Sequence, residues 1–299
     1  MKLGCKDEQF SKNTFPVLPV QQPVPIVTGL SILFRKQDHD AQTNFFSQSG
    51  RDLVNVKKGE CWGFVPARGG SKSIPLKNIH PFAGRPLMDY CVLAAKACSD
   101  VTRIICSTDS REIRENCEKL QIETIDRPDA LGGDMTPVMD VFRDFLETVQ
   151  DREGVIPEYI AFLQPTSPFI LPQHITDCIA VLKKDSQAGS SQTVTDCPHQ
   201  LHAMNQRVIE EGYVRFSEPE LIRENYNKQK KQKHFLFGNV IVLRALPCLE
   251  QDFVFADPSL PILVDTIWGF DADGPLEFPL GEFLLIGGYV KLPFLDKNP

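Results

Sequence analysis

No Cys-x-x-Cys pair occurs among the nine cysteines of this 299-residue chain, which argues against a zinc ribbon and against a thioredoxin-type dithiol. The thiols (Cys5, Cys61, Cys91, Cys98, Cys106, Cys117, Cys178, Cys197 and Cys248) are scattered, several of them among apolar neighbours, where buried free thiols are ordinary. Their odd number fits a reducing cytoplasm. No apolar run approaches the roughly 18 residues of a membrane span. Lys2 and Lys6 are followed by no apolar core, so no secretory signal is expected. A basic excess is also missing. The formal net charge of −7 argues against a nucleic-acid-binding surface, though a local basic pocket is compatible with it. Internal repeats and low-complexity segments are absent.

What is present is a chain that is 42% hydrophobic, enough for a proper core. Its length suits one large α/β domain with an appendage. Residues 1–58 have a different texture from the rest. Prolines cluster at Pro16, Pro19, Pro23 and Pro25, a short apolar stretch follows, and Arg35 to Arg51 is polar without clear periodicity. This segment reads as an N-terminal extension, partly disordered, with the main domain over 59–299.

The stretch that organises the domain is Phe64 to Asn78. The apolar run Trp62–Ala67 reads as a buried strand that empties into Arg68-Gly69-Gly70-Ser71-Lys72. A glycine pair after a strand lets the backbone turn sharply and approach a ligand. Arginine, serine and two lysines in and beyond that turn offer positive charge and hydrogen-bond donors, which suit a polyphosphate. The glycine–lysine spacing is not that of a Walker loop. A basic surface turn is the plainer alternative.

Beyond it, strands and helices alternate. Helices are expected over 86–99, with Pro86 at a first-turn position, 111–120, 137–150 and 172–184. Strands are expected over 102–107, 122–126, 159–163 and 188–195. The alternation implies βαβ units and a mainly parallel sheet. Thr108-Asp109-Ser110 reads as a helix cap, the role assigned to Asp109. In such sheets ligands sit beyond the carboxyl ends of the strands, which is where the glycine loop, Asp109, Arg127 and Gln164 all fall. Val208–Phe216 reads as a hairpin around Glu210-Glu211-Gly212. The basic run Asn225–Lys233 reads as a solvated loop, and Phe235–Leu243 as a strand interrupted by Gly238-Asn239.

Asp271-Ala272-Asp273 places two carboxylates two residues apart in an extended segment, on one side. Hard cations such as Mg²⁺ are held by one or two carboxylates together with substrate phosphates. A solvated turn before Gly274 is the alternative. For Gln164-Pro165-Thr166-Ser167-Pro168, a structural turn and a ligand-facing glutamine stand level. For Arg127, at a strand end, an exposed arginine is the plainer alternative.

The ordered set Ala67-Arg68-x-Gly70-Ser71-Lys72-x-Ile74-Pro75-x-Lys77-Asn78 resembles the signature of the acylneuraminate cytidylyltransferases, the CMP-sialic acid synthetase family. The likeness extends more weakly from about Trp62 to about Phe294. It implies a three-layer α/β fold of the nucleotide-diphospho-sugar transferase type, with a smaller sugar-binding and dimerisation subregion at about 200–240. It implies transfer of CMP from CTP to the anomeric hydroxyl of a sialic-acid-like 3-deoxy-2-ulosonic acid, with release of pyrophosphate and a requirement for Mg²⁺. By the same resemblance Arg68, Ser71, Lys72, Lys77, Asn78 and Arg127 meet CTP, and Gln164 lies near the sugar. Phe270-Asp271-Ala272-Asp273 matches a family Ile-Asp-Ile-Asp motif whose aspartates hold the metal. Arg68, Lys77, Asp271 and Asp273 form the implied catalytic set. Asp134 and Thr136 match or neighbour a loop near the nucleotide. A homodimer exchanging a segment within 204–235 is implied as well, with no nucleic-acid or membrane partner.

The chain departs from the family pattern in places. Ser73 stands where relatives carry glycine, and Gly238-Asn239 reverses the common Asn-Gly order. His202 lies near a basic position of the sialate enzymes. The arginines that meet the sugar carboxylate are not matched, with Lys228, Lys230, Lys231 and Lys233 as substitutes of different hydrogen-bond geometry. Two other readings stand beside the first: a Kdo-type sugar nucleotidyltransferase, and a non-catalytic nucleotide-binding family member.

Overall fold

Strand β1 (Val56–Pro66) shows how the core is built. Its apolar side chains alternate between two faces. Cys61 and Val65 pack with one buried cluster, and Trp62 and Phe64 with another. A strand that is apolar on both faces must lie inside a sheet covered on both sides. The computed structural model describes residues 54–71, 73–224 and 232–295, and in it β1 is such a strand.

The elements follow in order: β2 (Pro81–Phe82) and β3 (Arg85–Pro86), α1 (Leu87–Lys96), β4 (Val101–Thr108), α2 (Arg111–Lys119), β5 (Glu123–Asp126), α3 (Val138–Glu153), β6 (Ile156–Leu163) and α4 (Pro172–Lys184). Then come β7 (Ser190–Asp196), β8 (Arg207–Glu210), β9 (Tyr213–Phe216), α5 (Pro219–Glu224), β10 (Phe235–Arg244), α6 (Ala245–Gln251), β11 (Ser259–Leu263) and α7 (Glu277–Ile286). Seven strands form the central sheet in the order β11-β7-β10-β6-β1-β4-β5. β10 runs antiparallel to both of its neighbours, and the other pairings are parallel. The sheet is therefore mainly parallel, as the alternation of elements requires.

One face carries the cluster with Leu87, Met88, Tyr90, Ile113, Ile175 and Leu182 from α1, α2 and α4. The other carries Val141, Phe142, Phe145 and Leu146 of α3 with Ala245 and Cys248 of α6. Phe64 stacks on Phe145 at a centroid distance of 4.3 Å and meets Phe142 edge-on at 6.0 Å, which locks α3 onto β1. The result is a three-layer α/β fold.

Several details differ from the sequence reading. β1 starts at Val56, inside the segment read as an extension, because Val54 and Val56 pack against the α3-side core. Pro86 is the N-cap residue of α1 and does not sit in its first turn. α6 and β11 carry a proline each and are short, so neither shows a periodicity that can be read from sequence. Lys72 and the lysines 228, 230 and 231 lie outside the described residues. Among the described residues no helix is long and apolar enough to cross a membrane.

Candidate functional site

The parallel strands β1, β4, β5 and β6 end side by side. Each hands the chain to a loop at the same edge of the sheet. Pro66 leads into the glycine loop, Thr108 into Asp109, Asp126 into Arg127 and Leu163 into Gln164. These loops surround a cavity of about 780 Å³, within the range of small-molecule sites. Its walls include Arg68, Ser71, Lys77, Asn78, Arg127, Gln164, Asp271 and Asp273. Residues up to about 200 positions apart in the chain are thus brought to one place by the topology.

The cations around the cavity are held differently from one another. Arg68 lies 2.5 Å from an Asp134 oxygen, and both are part-exposed. Arg127 is only 6% exposed, which rules out the plainer alternative of an exposed arginine. It donates from Nε to Ser107 Oγ at 3.3 Å and from Nη2 to the Ser107 carbonyl at 3.0 Å. Burial lowers the affinity of its guanidinium for the proton, and the nearby Asp109 carboxylate works against that. Asn78 is buried and donates to the Arg68 carbonyl at 2.9 Å, so it holds the start of the glycine loop in place.

On the opposite wall the paired carboxylates touch. Asp271 and Asp273 lie close enough to shift each other's titration. Burial pushes Asp271 up to about 6, aided by the Asp273 charge. Burial also tends to raise Asp273, but the Lys77 ammonium, 2.7 Å from its Oδ1, brings it below its ordinary value. Two neighbouring carboxylates repel when both are ionised, so such a pair either shares a proton or holds a cation. Their oxygen donors fit a hard divalent ion such as Mg²⁺. Among the described residues they stand as a pair, with no group of three or more potential ligands, so an ion held there would need further ligands from water or a bound molecule.

This segment is clamped from three directions. Ala272 N–H donates to the Thr166 carbonyl at 2.8 Å. Ser167 Oγ is 3.2 Å from Asp271 Oδ1 and 3.3 Å from Gln164 Oε1. Asn239 Nδ2 donates to the Phe270 carbonyl at 2.7 Å. Asn239 has φ 72°, a conformation that asparagine tolerates better than most residues. It lies where β10 slips its register against β7. The reversed Gly238-Asn239 order thus puts an amide, in a left-handed bulge, onto the carboxylate segment. Ser73 Oγ adds a contact to the Asp273 carbonyl at 3.1 Å.

Sequence reasoning passed over these supports. Ser167 lay in a singled-out motif, while nothing in the local sequence ties Asn239 to Phe270. His202 is buried, its Nε2 2.9 Å from the Gln232 carbonyl and its ring stacked on His234 at 4.0 Å, and it is not among the residues that line the cavity.

Comparison with known proteins gives a consistent result. Residues 63–234 match the family model described as cytidylyltransferase. The CMP-N,N'-diacetyllegionaminic acid synthase of Legionella pneumophila is 28% identical over 229 residues, covering 74% of this chain and 94% of that protein. The N-acylneuraminate cytidylyltransferase of Escherichia coli is 26% identical over 218 residues. That match covers 72% of this chain, which spans about half the length of the E. coli protein, 50%. Among solved structures, a CMP:2-keto-3-deoxy-manno-octonic acid synthetase complexed with CTP superposes with a TM-score of 0.58 at 15% identity, over 77% of this chain and 99% of its own. That likeness concerns the fold.

Proposed function

The chain belongs to the cytidylyltransferase family, and from that premise we propose that it transfers CMP from CTP to the anomeric hydroxyl of a sialic-acid-like 3-deoxy-2-ulosonic acid. The observation that carries this reading is the shared cavity. A cationic glycine loop, a buried arginine, a carboxylate pair and Gln164 all line it.

In the reaction the anomeric oxygen forms a bond to the α-phosphorus and the bond from that phosphorus to the bridging oxygen of pyrophosphate breaks. Such a transfer needs positioning and charge neutralisation more than covalent help from the protein. Arg68, Ser71 and Lys77 hold the triphosphate, and Lys72 belongs to the same loop sequence. Asn78 fixes the backbone of that loop, and Arg127 faces the nucleotide. Gln164 orients the sugar. Asp271 and Asp273 are the residues that would hold Mg²⁺, whose chemistry is to neutralise phosphate charge and lower the pKa of the attacking hydroxyl. No described side chain stands out as a general base. The Lys77–Asp273 pair links the cationic wall to the carboxylate wall, so loop and carboxylates keep a fixed separation.

We further read the active form as a cytoplasmic homodimer. The free thiols at eight described cysteines suit a reducing compartment. The hairpin β8–β9 presents Ile209, Tyr213 and Val214 to solvent, an apolar surface within the 204–235 segment.

The test is pyrophosphate release from CTP with Mg²⁺ across sialic, legionaminic, pseudaminic and Kdo acids, each also run without CTP. Release with a sialic-like acid is expected. Release with Kdo alone would replace the acceptor. Silence with every acid, while CTP still binds, would remove the transferase reading.

A further inference from the structure

Asp109 was expected to cap α2, but the structure gives that task to Ser110. Ser110 is the N-cap residue, and its Oγ accepts from the Ile113 N–H at 3.3 Å. The carboxylate one residue earlier is therefore released from the helix and turns toward the loops at the mouth of the cavity. Its Oδ1 accepts the Gly69 N–H at 2.7 Å, a short charge-assisted bond. Its Oδ2 lies against Gly132, 2.8 Å from where a β-carbon of that residue would be. Gly69 in turn presses on Ser110, whose Cβ is 2.8 Å from the corresponding position. Both glycines are thus needed for close approach to the Asp109-Ser110 turn.

The two loops concerned are the two that flank the nucleotide side of the cavity. Gly69 sits between Arg68 and Gly70, and Gly132 precedes Gly133, Asp134 and Thr136, all cavity-lining residues except the two glycines themselves. Arg68 and Asp134 then meet across the gap at 2.5 Å. One carboxylate, with one oxygen on each loop, sets the spacing of that pair. Asp109 itself does not line the cavity.

We propose that Asp109 is a positioning residue for the nucleotide: it braces the 68–71 loop against the 132–136 loop and so places Arg68 for the triphosphate. The identity of the nucleotide rests on the cytidylyl-transfer reading above. The brace itself rests only on geometry. Asp109 is exposed, and exposed hydrogen bonds add little to global stability. Its removal should loosen the loops and leave the fold standing.

The experiment compares wild type, Asp109→Ala, Asp109→Asn and Gly132→Ala in calorimetric CTP titration and in steady-state pyrophosphate release. Loss of a charged hydrogen-bond acceptor in Asp109→Ala is expected to raise the CTP Kd about tenfold or more. KM should carry the change, with kcat within about threefold. Asn keeps an oxygen for the Gly69 N–H and should recover much of the affinity. Gly132 has φ −80°, which alanine adopts without strain. Gly132→Ala therefore keeps the Asp109 carboxylate in the chain but pushes it away, and should also weaken CTP.

A folded Asp109→Ala protein with wild-type Kd and KM overturns the proposal. If wild type itself binds no CTP, the nucleotide reading fails separately. Hydrogen exchange over residues 68–71 then judges the brace, which stands if exchange is faster in Asp109→Ala and falls if it is unchanged.

Discussion

Lys77 Nζ lies 2.7 Å from Asp273 Oδ1 and 3.3 Å from the Asp273 carbonyl, so one ammonium serves both the side chain and the backbone of a residue 196 positions away. The pair joins the loop after β1 to the carboxylate segment. Through it the Lys77 ammonium keeps the Asp273 carboxyl ionised.

Lys77→Met keeps most of the length of the side chain and removes the charge. It should lower kcat/KM for CTP by about a hundredfold, the scale for loss of one preorganised electrostatic contact. Steady-state kinetics with the acceptor saturating measures this. A loss below about threefold would show that the pair is a surface ion bridge of little consequence.

Asp271→Asn should separate stability from turnover. Burial raises the Asp271 carboxyl to about 6, which means that its charged form is disfavoured where it sits. The neutral isostere is expected to leave Tm unchanged or higher, while turnover with Mg²⁺ falls by orders of magnitude. A well-folded variant with full turnover at saturating Mg²⁺ would overturn the proposal that Asp271 holds the metal.

Gln164 contacts Ser167, which in turn contacts Asp271. Gln164→Ala should raise KM for the acceptor about tenfold, on the scale of an unmade substrate hydrogen bond, with the CTP Kd unchanged. Equal weakening of CTP and acceptor would assign the glutamine to the support of the cavity wall.

His174, in the first turn of α4, is buried with its ring edge-on to Trp268 at 5.3 Å. Burial holds its imidazole below the ordinary value of 6.5, against a smaller pull from Asp177. The folded state therefore binds the proton less readily than the unfolded state. Its contribution is complete above about pH 6.5 and is lost as pH falls toward the folded-state value. Urea midpoints at about pH 7.5 and 5.5 should differ more for wild type than for His174→Gln. Identical losses in the two proteins would assign the acid sensitivity to other groups.

Much of the sheet could be read from the chain because both faces of β1, β4 and β6 are apolar and the intervening helices are long enough to show a period. The loops after β1, β4, β5 and β6 announce themselves as well, since parallel strands must end at a common edge. Asp109 shows the limit. Its sequence, Thr-Asp-Ser, fits a cap at either of two positions, and only the backbone path selects Ser110. The burial of Arg127 is hidden from the sequence for a similar reason. A polar residue at a strand end carries no local sign that Ser107 is placed to receive it.

By itself the sequence determined the glycine loop, the carboxylate pair and the family signature that joins them. These are local patterns, in which charge, backbone freedom and spacing act over a few residues. The tertiary structure alone decided that Asn239 holds the Phe270 carbonyl, that Lys77 holds Asp273 and that one carboxylate of Asp109 touches two loops. Those relationships depend on distances across the sheet edge, and such distances follow from strand order and register, which no short stretch of sequence encodes.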